Sequence, residues 1–175
     1  MPITLFCIHG NHDRRPSDIP SYQEMLWNNG LCYREERYPN LIFAKDGEIY
    51  NLGDRETLVI GGAASSDKYY RLAHGLPWWE NEMPSDAVKH RTEENLSACG
   101  WKVDQVLSHT LPLKYVPADR LASCMKSGNP DLSTERWLEQ LEQRMSYRRW
   151  SAGHWHADVR VNEKVEVLYR KYQRF

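Results

Sequence analysis

Apolar positions in this chain fall into short runs and interrupted helical stripes. Ile3, Leu5, Phe6 and Ile8, with β-branched Thr4 among them, predict a short strand buried on both faces, as in a parallel sheet. The run stops at Gly10-Asn11-His12-Asp13, where glycine permits a sharp turn. Ser21-Tyr22-Gln23-Glu24 is a capping-box pattern and predicts a short helix that Gly30 ends. Residues 41–44 and 48–52 flank Asp46-Gly47, a hairpin signal. A second turn at Gly53-Asp54-Arg55 leads into a buried strand over 57–60. Gly61-Gly62-Ala63-Ala64-Ser65 is a tight strand exit, and Ser66 or Asp67 caps a helix over 68–73.

Residues 75–84, with Trp78-Trp79, read as an irregular loop. Ser85 caps the next helix, whose face is Val88, Thr92, Leu96 and Cys99 and whose stop is Gly100. Residues 101–108 form a strand, and 110–129 read as loop around Pro112 and Pro117. Ser133 caps a helix with Trp137, Leu138, Leu141 and Met145 on its apolar face. The chain closes with a strand ending at Gly153, the pair His154 and His156, and a hairpin. In that hairpin Val159 and Val161 face Val165, Val167 and Tyr169 across Asn162-Glu163. Strands that alternate with helices early and pair antiparallel late predict an α/β fold with a mixed sheet, in one domain without a linker.

A chain of 175 residues can bury a real core. Its net charge of -1 argues against a bulk nucleic-acid footprint, which needs a basic face. No apolar run is long enough to cross a bilayer. The four cysteines (Cys7, Cys32, Cys99, Cys124) form no C-x-x-C pair and read as reduced thiols of a cytoplasmic protein, Cys7 in a core strand.

Three polar clusters follow predicted strands: Gly10 to Asp13, Ser108-His109-Thr110, and Gly153-His154-Trp155-His156. In open α/β sheets, ligands sit beyond the carboxyl ends of strands. On a strand, His154 and His156 would point the same way; in a loop they would still flank one or two ions. Asn11, His109, His154 and His156 offer three nitrogens and an oxygen, a set suited to manganese, iron, zinc or nickel. His12 is followed by Asp13, whose carboxylate can fix an imidazole tautomer. His90 reads as solvated, His74 as a helix C-terminal cap, and His9 as a supporting group. Arg14 and Arg15 are either solvated or placed to steer a phosphate.

Taken in order, these three motifs resemble the C-terminal motifs of the calcineurin-like metallophosphoesterases, over essentially the whole chain from Ile3. The resemblance implies a mixed-sheet sandwich with flanking helices. It implies that Asn11, His109 and His154 ligate one metal and His156 a second, two divalent ions (Mn, Fe or Zn) in the complete site. His12 would be the acid that contacts phosphate and Asp13 would orient it. The implied activity is hydrolysis of a phosphomonoester or phosphodiester by a metal-bridging hydroxide. Residues 68–84 and 111–129 would border the site. The family pattern also has D-x-H and G-D-x-x-D motifs upstream, and this chain starts at the third motif, so the expected fold is N-terminally truncated by ~60 residues. Catalysis would then require the bridging carboxylate from elsewhere, and exposed sheet edges would favour self-association or a complementing N-terminal half. The competing expectation is a non-catalytic metal-binding or interaction module on the same fold.

Overall fold

The computed structural model describes residues 3–126 and 130–172. They form two mixed sheets and four α-helices. The first sheet holds β1 (Leu5–Cys7), β2 (Tyr22–Trp27), β3 (Gly30–Glu35) and β4 (Leu41–Ala44) in the order β1-β4-β3-β2. The second holds β5 (Ile49–Asn51), β6 (Glu56–Ile60), β7 (Gln105–Ser108), β8 (Arg149–Ala152), β9 (Val159–Arg160) and β10 (Val165–Val167) in the order β5-β6-β7-β8-β10-β9. Neighbours β6, β7, β8 and β10 run parallel, with antiparallel β5 and β9 at the edges. The helices are α1 (Lys68–Ala73), α2 (Asp86–Ala98), α3 (Ala118–Lys126) and α4 (Ser133–Arg144).

Two cores share the central strands. Leu58, Ile60 and Val106 pack with Leu96 of α2 and Trp137, Leu138 and Leu141 of α4. Val59 and Leu107 point the other way, onto Cys32, Ile42 and Ala44 of the first sheet. Strands β6 and β7 are therefore apolar on both faces, the pattern of parallel strands covered on both sides. The expected turn at Gly53-Asp54 joins β5 to β6, both residues having positive φ. Ser85 Oγ accepts from the Val88 amide, and Val88, Thr92 and Leu96 are buried as the periodicity predicts. The α4 face is buried as expected, but its first turn is closed by Asp131, whose Oδ1 accepts from the Ser133 amide at 2.8 Å. The closing hairpin forms with Val167 opposite Val159, and β10 also pairs in parallel with β8.

Four expectations are corrected. The capping box at Ser21 starts a strand: β2 and β3 form a hairpin closed by Asn28 and Asn29, both at positive φ. Asparagine tolerates that region, and the Asn-Asn pair outweighs a weak helix signal. Gly30 begins β3 and ends no helix; a Cβ there would lie 2.6 Å from the Tyr50 ring. Gly47 does turn the chain, at φ +85°, but β4 and β5 fall in different sheets, so 41–52 is a corner and no hairpin. Asp46 makes the corner by turning inward to accept the Gly61 amide at 2.7 Å. The opening strand is an edge with Ile3 and Leu5 exposed, because among the described residues β1 pairs with β4 alone. Finally, α3 lies inside the stretch read as loop. It follows Pro117, a residue that suits helix starts, and buries only Leu121 and Cys124 in part. Residues 127–129 of that expected loop lie outside the described residues.

Candidate metal centre

Backbone hydrogen bonds bring the three polar clusters together. The Gly62 amide donates to His9 O (2.9 Å), which joins the exits of β6 and β1 across the two sheets. The His109 amide donates to Ile60 O (2.8 Å), and the Gly153 amide to His109 O (3.0 Å). The exits of β1, β6, β7 and β8 thus form one rim at the carboxyl ends of the parallel strands.

Asn11, His109 and His154 meet at this rim. His109 Nε2 lies 2.8 Å from Asn11 Oδ1 and 3.2 Å from His154 Nδ1. Ligand atoms sharing one cation at ~2.1 Å sit about 3.0–3.4 Å apart, so the two contacts of His109 are close to the spacing of adjacent ligands. Burial lowers His109 to about 4 and His154 to about 3, with further depression from neighbouring histidines. Both rings are neutral at pH 7, the form that binds a cation. The donor set fits a borderline divalent metal. His154 has φ +62°, a conformation that costs a non-glycine residue ~1 kcal/mol and turns its ring back toward His109. Among the described residues, no three or more of His, Cys, Asp and Glu are grouped to hold a metal ion; the cluster is two imidazoles and an amide.

The other candidates stand apart. His156, also at positive φ, follows β8 in a loop and stacks on Tyr169, ring centroids 4.9 Å apart. It is near enough to depress both His109 and His154 electrostatically. His12 is exposed and acts on the same two rings. The Asp13 groups serve the turn itself: Oδ2 accepts the Gly10 amide at 2.9 Å, and the carbonyl pairs with His9 Nε2 at 3.0 Å. Asp13 therefore closes the turn that carries Asn11. His9 is buried and its pKa lowered, chiefly by desolvation. His90 is exposed beside Glu94, and His74 pairs with the Tyr70 carbonyl at the end of α1, both as expected.

Several supporting residues carried no sequence signal. Arg15 does not reach for solvent: it binds Asp46 and the carbonyls of Asn81 and Met83. Asn11 Nδ2 donates to Ser65 Oγ (2.8 Å), and Ser65 donates both its hydroxyl and its amide to the buried Glu82. On the far side, Trp155 Nε1 donates to Thr110 Oγ1 (3.0 Å) and Thr110 donates to buried Glu135 (2.7 Å). That chain ties the His154 turn to the end of β7. Pairings between residues so distant in sequence leave no local pattern to read.

No family model, curated protein or solved structure matches the chain.

Proposed function

We propose that this chain is a metal-dependent phosphoesterase half-site of the calcineurin-like kind, in which Asn11, His109 and His154 hold one divalent transition metal. The observation that carries the reading is the convergence of three motif residues, from three strand exits, at ligand-like separations. Two facing mixed sheets with helices on one side support the implied sandwich. When bound, the cation supplies Lewis acidity and neutralises charge at a phosphoryl group. The chain's own residues do the rest. Asn11 would present an amide oxygen, His109 and His154 neutral nitrogens, and His12, exposed at the same rim, would donate a proton to a leaving oxygen. His156 would be this chain's ligand for a second such ion. The substrate is a phosphomonoester or phosphodiester. No helix among the described residues is long and apolar enough to cross a membrane.

The second reading is a metal-binding module without catalysis. It is favoured by one observation: no carboxylate joins the trio among the described residues. Elemental analysis after dialysis against manganese or zinc, paired with hydrolysis of p-nitrophenyl phosphate and its bis ester, separates the two. We expect bound metal that His154→Ala loses, with affinity down at least ~100-fold. Metal with turnover supports the esterase, and metal without turnover the module. Wild-type protein that retains no more metal than His154→Ala would defeat both.

A further inference from the structure

Glu82 is the most conspicuous buried group that the proposed chemistry leaves without a task. It is 3 % exposed, and both its oxygens face Ser65: Oε1 accepts the Ser65 amide at 2.8 Å and Oε2 accepts the Ser65 hydroxyl. The segment carrying it is docked firmly. Gly62, at φ +80°, lies so close that a Cβ there would sit 2.2 Å from the Glu82 carbonyl oxygen. Arg15 binds the carbonyls on either side, Asn81 O at 2.7 Å and Met83 O at 3.1 Å.

An ionised carboxylate only accepts hydrogen bonds. The Ser65 hydroxyl must therefore point its proton at Glu82 and offer a lone pair elsewhere. The group facing that lone pair, 2.8 Å away, is the side-chain amide of Asn11. An amide presents either a donor or an acceptor, and here only the NH2 end satisfies Ser65. The Oδ1 end is then turned toward His109 and His154. We infer that Glu82, acting through Ser65, is the positioning residue that holds the Asn11 amide with its oxygen toward the metal centre. The inference rests on the proposed metal site and extends it to a carboxylate that touches no ligand of that site directly. Reversing any bond in the chain would reverse the others, aiming an NH2 group at the cation.

The reversal can be built. In Glu82→Gln the new amide donates to Ser65 Oγ, the hydroxyl proton swings to Asn11, and the Asn11 amide is driven to flip. In Asn11→Asp/Glu82→Gln the reversed hydroxyl donates to an aspartate, which still offers an oxygen to the metal. Calorimetric titration of the full chain with manganese(II) and zinc(II) reads the effect. We expect Glu82→Gln to weaken binding roughly tenfold or more, as for other groups that orient a ligand. With aspartate at position 11 an oxygen faces the metal in either orientation, so the pair should bind within about threefold of Asn11→Asp alone, an insensitivity that a merely structural role would not give. Ser65→Ala, which cuts the chain while keeping Glu82, should lose affinity like Glu82→Gln and decides the matter if that variant does not fold. Wild-type affinity in both Glu82→Gln and Ser65→Ala overturns the positioning role and leaves the metal site standing. An equal loss when Glu82→Gln is added to Asn11→Asp also overturns it. No heat of binding in the wild type, with either ion, overturns the site and the inference together.

Discussion

Glu135 shows what a single buried carboxylate does here. It is almost fully buried; Oε1 accepts the Thr110 hydroxyl, while Oε2 has no hydrogen-bond partner among the described residues. Burial raises its pKa above the ordinary carboxylate value. The folded state thus keeps a proton that the unfolded chain releases near pH 4. Stability falls as pH rises from that value through the raised folded pKa, and is level above it. Glu135→Gln keeps an acceptor for Thr110 and has no charge to bury. Thermal melts between pH 4 and 8 should show the variant gaining on wild type as pH rises, with the difference smallest at the acid end. Parallel curves would mean that Glu135 is not the source of the slope. The same hydroxyl of Thr110 receives Trp155 Nε1, so Thr110 links the exit of β7 to the turn bearing His154.

At the scale of elements, the site is a property of strand exits. Two of the exits use backbone conformations that few residues tolerate: that of β6 at Gly62 (+80°) and that of β8 at His154 (+62°) and His156 (+46°). Gly62 is the most constrained, since it has both a positive φ and the Glu82 carbonyl against its Cα. Gly62→Ala combines a backbone penalty of ~1–2 kcal/mol with an overpacking cost of ~1–3 kcal/mol. We expect roughly 3 kcal/mol of lost stability by urea unfolding, and weaker manganese binding because Glu82 is displaced. A variant within about 0.5 kcal/mol of wild type would show that Gly62 and the Glu82 segment are less tightly packed than their geometry implies.

Across the whole molecule, the first sheet ends in an exposed strand. Leu5 to Cys7 pair with β4 on one side, and Ile3 and Leu5 are 79 % and 58 % exposed. An apolar, uncapped edge is a template for another strand. The expectation is concentration-dependent dimerisation in sedimentation, relieved by Leu5→Lys, which places a charge on the edge. A wild type that stays monomeric at about 100 μM would count against it. The opposite edge of the second sheet is shielded differently: β9 is only two residues long, and short edges are one way proteins avoid self-pairing.

What the sequence alone determined are the features governed by neighbours along the chain. A buried apolar run placed β6, the strand expected over 101–108 formed only at its end as β7, a serine three residues before an amide capped α2, and glycines and histidines marked the three exits that meet. Local signals misled where two of them competed, as at residues 21–30, where Asn28-Asn29 closes a hairpin that a capping box disguised. Tertiary structure alone decided which polar groups become partners. Asn11 bonds Ser65, 54 positions away, and His109, 98 positions away. It also sent His154 to the cluster and His156 to Tyr169, residues only two apart. The reason is physical: turn preference and periodicity act over a few residues, whereas the direction of a buried hydrogen bond is fixed by whichever donor or acceptor the packing of two sheets brings within 3 Å.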